Sequence, residues 1–396
     1  MNYDYDLLIV GGGLVGGSLA LALKDAPLRV GVVEALTPEE RRRSPAGHRA
    51  LALSRGTAQV LDGLGVWREV APEAMAIRHI HVSDRGHFGK TRLHAADQGV
   101  DALGYVAVAR VLEDAIERGL ERLPIDRLCP ARIIGLKAGA EGVCVTLKRD
   151  GECLGLNAKL VVAADGGNSS VRNLLGIEQE VRDYGQTAIV TEVRTEKDTR
   201  FTAYERFTAS GPLAFLPLGR KQCSVVWTLK DADAEEVLAL SEAEFTARLQ
   251  AVFGYWLGRI EPAAVRQGFP LKLVRAEKMV DERVILIGNA MHQIHPVAGQ
   301  GFNLGLRDAA LLADRLWAQT GFGEDIGEAG FLARYAEARR RDLANVIRFT
   351  DSLVRIFSNG FPPLALARNL ALLALDRLPP AKRLLARHAM GYGVRL

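Results

Sequence analysis

Residues 6–16 read DLLIVGGGLVG, an apolar run followed at once by a glycine-rich turn. Gly11, Gly13 and Gly16 have the Gly-x-Gly-x-x-Gly spacing. This spacing lets a strand turn tightly into a helix, brings bare backbone against a pyrophosphate and directs the helix N-terminus at its charge. The stretch therefore predicts the first strand, turn and helix of a dinucleotide-binding domain.

An acidic residue follows at the distance that such a site requires. Glu34 closes the next apolar run, residues 29–33, and an acid about 20 residues after the glycines bonds a ribose hydroxyl in dinucleotide sites. A glycine-rich turn alone also occurs in ordinary loops. Strand, glycines, a helix over 18–24, a second strand and the acid come in order here, which favours the dinucleotide site.

A second motif lies in the middle of the chain. Residues 159–164 predict a buried strand that runs into DGGNSSVR at 165–172. Asp165 and Ser169 are good N-cap residues for a helix that begins near Ser170, and Gly166 permits a close backbone approach. A capped helix without a ligand remains the alternative interpretation of this motif.

A third motif lies near the far end. Residues 281–287 predict a buried strand, and GNAMHQIHPVAGQGFNLGLRD follows at 288–308. A helix is expected from Asn303 to about Gln319.

The second and third motifs resemble those of the class A flavoprotein aromatic hydroxylases, the para-hydroxybenzoate hydroxylase-like family. The resemblance implies an α/β fold in which a Rossmann-type FAD-binding domain is interleaved with a β-sheet substrate domain, plus C-terminal helices. In that family the third motif wraps the ribityl chain and the flavin ring. Asn289 stands where most members have Asp, which keeps a ribityl hydrogen bond but loses a charge.

The departure at Asn289, together with QIHP at 293–296, is similar to the branch that hydroxylates polyprenyl phenols in ubiquinone biosynthesis. Within that branch the chain is similar to the 2-polyprenyl-6-methoxyphenol hydroxylases. The same likeness is carried by RALALS at 49–54, HVSDRGH at 81–87, FTASGPLAFLP at 207–217 and DSLV at 351–354. The resemblance covers nearly the whole chain.

The resemblance also implies which residues contact FAD. These are Gly11, Gly13, Leu14, Val15, Gly16, Glu34, Ala35, Arg49, Arg110, Asp165, Gly166, Gly288, Asn289, Gly301, Phe302 and Asn303. Arg110 stands where the family often has a polar FAD contact, although its neighbours Val108 and Ala109 lack the polar residues expected there.

The residues expected at the reacting centre are Pro296, Gly299, Gln300 and Gly301. The carbonyl of Pro296 would lie near the substrate hydroxyl. The helix that the Gly-Gln-Gly turn opens would point its amides at the flavin edge where negative charge collects on reduction. On the substrate sheet, Tyr204, Arg206 and Trp227 are polar candidates, although a sheet residue with a local partner is the favoured interpretation of each.

The reaction follows from the family chemistry. One Gly-x-Gly-x-x-Gly site, assigned to FAD, leaves no second dinucleotide fold, so NAD(P)H is expected as a transient co-substrate. In the resembled family, reduced flavin and O2 form a C4a-hydroperoxide that attacks an electron-rich phenol. The alternatives are hydroxylation of another ring position or another phenol, a related FAD oxidoreductase such as a prenyl reductase, and a flavin-stabilised assembly subunit.

Composition limits the other classes. A chain of 396 residues is long enough for two domains, and a net charge of +4 gives no argument for nucleic acid. The four cysteines lie singly, which indicates neither a disulfide framework nor a metal site. An acidic N-terminus and the absence of an 18-residue apolar run favour a cytoplasmic protein, with peripheral contact to the inner membrane as a further expectation.

The order of elements predicts three regions. The FAD-binding domain takes residues 1–72, 96–177 and 268–330, and the substrate domain takes 73–95 and 178–267. A C-terminal helical region takes 331–396. Ser241 and Glu244 have the spacing of a capping box at the start of a helix.

The C-terminal region combines apolar and basic residues. Residues 365–375 and 381–390 predict two helices, and from residue 364 onward Asp376 is the one acid. The basic residues there are Arg368, Arg377, Lys382, Arg383, Arg387 and Arg395. An apolar stripe beside a basic face suits an interfacial helix on anionic lipid. A helix packed on the FAD domain, or a surface for another protein of the ubiquinone pathway, would share the pattern.

Overall fold

The computed structural model of the chain describes residues 2–262, 264–294, 299–357 and 362–392. Within these ranges the strands are β1 (Tyr5–Val10), β2 (Val30–Val33), β3 (Ala50–Ser54), β4 (Met75–Ile77), β5 (His79–Asp84), β6 (Lys90–His94), β7 (Gly104–Val108), β8 (Asp126–Leu128), β9 (Arg132–Ala138), β10 (Val143–Arg149), β11 (Glu152–Ala163), β12 (Gln179–Thr195), β13 (Thr202–Thr208), β14 (Gly211–Gly219), β15 (Gln222–Lys230), β16 (Ile260–Pro262), β17 (Gln267–Ala276), β18 (Val280–Asp281), β19 (Val284–Leu286) and β20 (His292–Gln293).

The α-helices in the same ranges are α1 (Leu14–Ala22), α2 (Pro38–Arg43), α3 (Arg55–Gly63), α4 (Trp67–Val70), α5 (Ala109–Glu121), α6 (Ser170–Leu174), α7 (Asp231–Ala239), α8 (Glu242–Phe253), α9 (Gln300–Gly321), α10 (Ala329–Phe357), α11 (Pro362–Arg377) and α12 (Pro379–Ala389). None of the helices described is long and apolar enough to cross a membrane.

The first sheet is built on parallel strands. β1 lies between β2 and β11, with Val10 opposite Val33 on one side and Ala163 on the other. β19 pairs in parallel with the far side of β11, and β8 with β2. Every residue of β1 is buried, as expected for a parallel strand covered on both faces. This is the Rossmann-type arrangement that the glycine turn and the 159–164 run predicted.

The second sheet is mostly antiparallel and has two different faces. Its described strands run in the order β20-β17-β12-β15-β14-β13-β5-β6, with β16 beside β12. On one face, Phe215 and Trp227 pack with Phe245 and Phe253 of α8 in a closed apolar cluster. Because strand side chains alternate, the intervening residues point to the opposite face, which borders a large cavity.

The strand β17 extends the second sheet beyond a predicted boundary. It pairs with β12 from Gln267 to Ala276, so residues after 268 still belong to this sheet. The prediction ended the substrate domain at residue 267, close to Pro270, and a proline cannot donate to a strand ladder. The pairing shifts register at this point, and such an irregularity accommodates a proline. The remaining domain limits stay a prediction.

Two helices begin earlier than expected. α9 begins at Gln300 instead of Asn303, and α1 begins at Leu14 instead of Ser18. In both cases the residue before the helix is a glycine, and Gly299 has a φ of 62°. Each first turn contains a further glycine, Gly16 or Gly301, whose low helix propensity makes the start of the helix hard to recognise in the sequence. The predicted capping box at Ser241 is confirmed.

The C-terminal helices α11 and α12 lie against the second sheet and the start of α3. Asn369 of α11 accepts a hydrogen bond from the Gly89 amide at 2.7 Å, and its neighbour Arg368 binds Asp84 at 2.7 Å. After α12, the carbonyl of Met390 accepts a bond from the Gly56 amide at 2.9 Å. These contacts place the two helices over one end of the cavity.

Candidate active site

The glycine turn has the backbone that a pyrophosphate requires. Gly11 has a φ of 101°, and a Cβ there would lie 2.5 Å from the carbonyl oxygen of Ala164. A Cβ at Gly16 would collide with the Gly11 carbonyl. Gly13 instead faces open space, with nothing within 4 Å of a Cβ, and as the N-cap of α1 it provides no side-chain cap. The first amides of α1 therefore point into an open groove, as an anion site needs.

Glu34 stands beside this turn at the end of β2. Its Oε2 accepts a hydrogen bond from the Gly12 amide at 2.8 Å, and its Oε1 accepts one from Leu36 at 3.0 Å. These bonds fix the carboxylate, which retains lone pairs that can accept from a ribose. Ala35 follows in the same turn and is half-buried.

Asp165 caps a helix and also has an oxygen that its neighbours do not use. Its Oδ2 accepts bonds from Ser170 at 2.8 Å and Val171 at 3.2 Å at the start of α6. Its Oδ1 is buried and has no partner among the described residues. A buried acceptor without a partner is costly, so this oxygen fits a hydroxyl of a bound ligand. Gly166, with a φ of 84°, follows and borders the cavity.

Arg110 and Arg49 differ in burial: Arg110 is half-buried, whereas Arg49 is exposed. Arg110, on α5, donates from Nη2 to the Ser44 carbonyl at 2.9 Å, whereas its buried Nε and Nη1 have no partner in the described ranges. Donors of this kind suit an anionic ligand. Arg49 is exposed at the edge of the cavity.

The third motif forms a turn and the start of α9. Gly288, with a φ of 56°, follows β19, and Asn289 is exposed to the cavity. Gly299 provides no side-chain cap for α9, which leaves the first turn, including Gly301 and Phe302, directed into the cavity. Pro296 lies outside the described residues.

Asn303 has a different use from the one predicted. Its Oδ1 accepts bonds from the Ser54 amide at 2.9 Å and the Thr57 hydroxyl at 2.6 Å. Its Nδ2 donates to the carbonyls of Ala52 at 2.9 Å and Gly299 at 2.7 Å. The side chain is thus occupied within the protein and ties α9 to β3, so it orders the site instead of offering its amide to a cofactor.

A buried charge network, which the sequence did not predict, supports the same turn. Asp308 Oδ2 accepts a bond from the Gly288 amide at 2.9 Å and lies 2.7 Å from His292 Nε2. Its Oδ1 accepts from Arg339 of α10 at 2.7 Å. Burial disfavours the charge of Asp308, but Arg339 and His292 outweigh it and hold the pKa of this carboxyl well below its usual range.

One cavity of about 1260 Å³ brings the three motifs together. The predicted residues that line it are Leu14, Val15, Arg49, Gly166, Asn289, Gly299, Gln300, Gly301, Phe302 and Asn303. Those outside its lining are Gly11, Gly13, Gly16, Glu34, Ala35, Arg110, Asp165 and Gly288. Most of the second group belongs to the turns at α1 and β2 and to those after β11 and β19, whereas Arg110 lies on α5.

The opposite wall of the cavity is a face of the second sheet. Ala203 and Phe207 of β13, Ala214 and Leu216 of β14 and Val226 of β15 make it largely apolar. The candidates Arg206 and Trp227 are absent from this wall. Trp227 belongs to the cluster on the other face, and Arg206 lies 5.5 Å from the ring of Trp256.

Tyr204 borders the cavity, but its ring packs edge-on against Phe253 at 5.5 Å. The residue between the two polar candidates, Glu205, lines the cavity and was missed. The sequence shows that the residues of β13 alternate between two faces, but it does not show which face borders the cavity. Both faces of this sheet are covered, one by α8 and the other by the cavity wall, so apolar residues occur on both.

Comparison with known proteins agrees with this geometry. A family model described as "FAD binding domain" matches residues 4–350. The ubiquinone hydroxylase UbiL of Rhodospirillum rubrum is 42% identical over 388 residues, which cover 98% of this chain and 89% of that protein. The 3-demethoxyubiquinol 3-hydroxylase of Escherichia coli is 34% identical, with 98% and 99% covered.

Among solved structures, p-nitrophenol 4-monooxygenase PnpA from Pseudomonas putida DLL-E4 superposes with a TM-score of 0.80 at 22% identity. All of both chains is covered. This likeness shows the fold, and the predicted α/β architecture with C-terminal helices is confirmed.

Proposed function

The chain belongs to the FAD-binding-domain family that its residues 4–350 match, and we propose that it hydroxylates the ring of a polyprenyl phenol in ubiquinone biosynthesis, using FAD, NAD(P)H and O2. The observation that carries the proposal is the cavity that joins the cofactor motifs to an apolar sheet face. The names of the ubiquinone hydroxylase relatives support the same ring chemistry.

The residues present fit FAD. The uncapped start of α1 would hold the pyrophosphate, Glu34 a ribose, and the free Oδ1 of Asp165 a hydroxyl of the chain that leads to the flavin. The uncapped first turn of α9 would stabilise negative charge at the flavin edge. When bound, FAD supplies the redox chemistry, taking two electrons from NAD(P)H and activating O2.

The protein itself positions the phenol and excludes water. Ala203, Ala214, Leu216 and Val226 present an apolar wall opposite Gly299–Asn303, so an aromatic ring would lie between the sheet and α9. Excluding water from this space protects reactive intermediates from hydrolysis and strengthens the few polar contacts inside.

The far end of the cavity has the apolar lining that a prenyl tail of the substrate would need. There it is lined by apolar residues of the three last helices, among them Phe357, Ala371, Leu372 and Leu385. Ala367 also lines the cavity, and the adjacent Leu366 is 55% exposed at the surface. A tail bound along these helices would keep the ring against the sheet while its free end leaves near α11.

Contact with a membrane surface is the remaining part of the proposal. Leu366, Leu370 and Leu384 are 55%, 53% and 73% exposed, an apolar group that an interfacial contact would cover. The nearby basic residues Arg377, Arg383 and Arg387 are exposed as well. We define these six residues as the C-terminal surface.

The C-terminal surface has fewer basic residues than the sequence suggested. Arg368 is buried against Asp84, and Lys382 lies 3.5 Å from Asp376 with a side chain only 17% exposed. Arg395 lies outside the described residues. A cytoplasmic protein that meets the inner membrane through this surface would take its substrate from the bilayer.

A strain that lacks the gene tests the proposed function. Mass spectrometry of its quinone precursors should show a polyprenyl phenol that lacks one ring oxygen, and the wild-type gene should restore the quinone. A gene carrying Gly13→Val, which places a side chain in the pyrophosphate groove, should not restore it. An unchanged quinone profile in the deletion strain would contradict the proposal.

A further inference from the structure

Glu205 is an acidic side chain on an otherwise apolar wall of the cavity. On β13 it lies between Ala203 and Phe207, which also line the cavity. Its neighbours across the strands are Val82 of β5 and Ala214 of β14, and both line the cavity too. The carboxyl therefore belongs to the face on which the proposed substrate ring would rest.

The protein offers this carboxyl no partner of its own. Among the described residues Glu205 makes no hydrogen bond and no ion pair, and its side chain is half-buried, open to the cavity. Burial raises the pKa of Glu205 to about 7. A carboxyl held in an apolar cavity without a hydrogen-bond or ion-pair partner lowers the stability of the protein. Such groups concentrate at functional sites.

Most charged and titratable groups on the surrounding elements have contacts elsewhere. Those that line the cavity are Arg49, Glu113, Tyr204, Lys272, Arg368 and His388. Arg368 and Asp84, which ends β5, bind each other, and Lys272 lies 3.4 Å from Asp183. His388 packs against Phe349 with ring centroids 4.4 Å apart. Glu205 is thus the acid on the sheet wall that remains available to a ligand.

We propose that Glu205 is a catalytic residue that accepts a hydrogen bond from the phenolic hydroxyl of the substrate and takes its proton during ring hydroxylation. The inference rests on the proposed function, which supplies the phenol and the O2. It goes beyond that function because it assigns the proton transfer to one side chain.

The proton balance of the step is simple. The phenol O–H bond breaks, an O–H bond forms on Glu205, and the electron pair stays on the phenol oxygen, which makes the ring more nucleophilic. The ring carbon then receives one oxygen atom of O2 and releases its hydrogen as a proton to water, while the other oxygen atom leaves as water with the two electrons that NAD(P)H supplies. Glu205 returns the first proton to the phenol oxygen. A base whose pKa lies near the working pH is well suited to this transfer.

The test compares the FAD-loaded wild type with Glu205→Gln, which keeps the shape but cannot take a proton. We expect kcat to fall about 100-fold or more. In the wild type kcat should rise with pH through about 7, as Glu205 ionises, and this limb should vanish in the variant. FAD content should be unchanged. Glu205→Asp should recover part of the activity.

A matched control is Glu235→Gln, which removes the same charge from the exposed surface of α7. It should leave kcat and the pH profile unchanged. Wild-type kcat and pH profile in Glu205→Gln would overturn the inference, as would an equal loss in both variants.

A binding measurement separates this inference from the proposed function. The FAD-loaded wild type should bind a prenylated phenol at least 10-fold more tightly than its methyl ether, and Glu205→Met should lose this preference. If the enzyme hydroxylates no phenol but shows the preference, the proposed reaction fails while the role of Glu205 in binding the hydroxyl stands. Equal affinity of the wild type for phenol and ether would overturn the inference.

Discussion

Arg339 of α10 donates from Nε to Asp308 of α9 at 2.7 Å, and both side chains are 2% exposed. The other oxygen of Asp308 accepts a bond from the Gly288 amide, at the turn where the cavity begins. Arg339, which does not line the cavity, therefore fixes the loop that would carry the flavin. This loop is positioned by a paired buried charge, and such a pair is costly to break from one side.

Arg339→Met should destabilise the protein by about 3–5 kcal/mol, because it leaves Asp308 buried without its guanidinium partner. Denaturant unfolding measures this change, and FAD retention should fall with it. Arg340→Met is the matched control, since Arg340 is 73% exposed and pairs only with Glu337 among the described residues. Equal unfolding free energies for the two variants would contradict this account of the network.

Gly13→Val should remove FAD binding and leave the fold intact. The protein has nothing within 4 Å of a Cβ at Gly13, so a valine there meets only the space assigned to the pyrophosphate. Flavin absorbance of the purified protein and thermal unfolding of the flavin-free form measure the two effects. Gly16→Val, whose side chain would collide with the Gly11 carbonyl, should instead fail to fold stably. Full flavin absorbance in Gly13→Val would refute the placement.

His81 should make the protein less stable as the pH falls from about 6.5 to 4. Its ring stacks on Trp256 at 4.1 Å, and burial, together with Arg92 and Lys90, lowers its pKa to about 4. Between these pH values His81 is therefore protonated in the unfolded chain but neutral in the folded chain, so a fall in pH favours unfolding. Because part of the ring is open to solvent, the loss should be about 1–2 kcal/mol, below the full value of the shift.

Denaturant unfolding at several pH values checks this effect of His81. His81→Phe keeps the stacking on Trp256 and removes the titration, so its free energy of unfolding should fall less between pH 6.5 and 4 than that of the wild type. Parallel curves for the two proteins would show that His81 does not contribute.

The C-terminal surface should control delivery of the substrate and not the ring chemistry. Each basic residue near an anionic membrane adds about 1 kcal/mol, so replacing Arg377, Arg383 and Arg387 with Gln should weaken liposome binding about 100-fold. Turnover of a long-tailed phenol should fall, whereas FAD content and turnover of a short-tailed phenol should be kept.

Cosedimentation with anionic vesicles and steady-state rates on both substrates measure these effects. The control variant replaces three exposed basic residues of β9 and β10, namely Lys137, Lys148 and Arg149, and should bind vesicles like the wild type. If the two triple variants behave alike, the helices are ordinary packing and the substrate enters elsewhere.

Local backbone requirements were predictable from the sequence. The turn at Gly11, the acid at Glu34 and the helix cap at Asp165 each depend on a few neighbouring residues, and the structure places each at the end of the expected strand. Helix starts were less accurate, because the first turns after Gly13 and Gly299 contain residues of low helix propensity.

Contacts between distant segments were not predictable. Asp308 and Arg339 lie on separate helices, and neither residue alone indicates a buried pair. Trp227 was kept as a candidate for the substrate side of the sheet, beside its interpretation as an ordinary sheet residue, and Glu205 was overlooked for one reason. Alternation shows that neighbouring residues of a strand face opposite ways, but it does not say which face borders the cavity. That depends on α7 and α8 covering the face of Trp227.

Labelled oxygen tests the central claim most directly. The FAD-loaded protein is supplied with NAD(P)H, a polyprenyl phenol and ¹⁸O2, and the product is analysed by mass spectrometry while NAD(P)H oxidation is followed. The account predicts one labelled oxygen atom on the ring for each NAD(P)H consumed, and no product without O2. Product formed anaerobically, or NAD(P)H oxidised without a labelled ring, would contradict it.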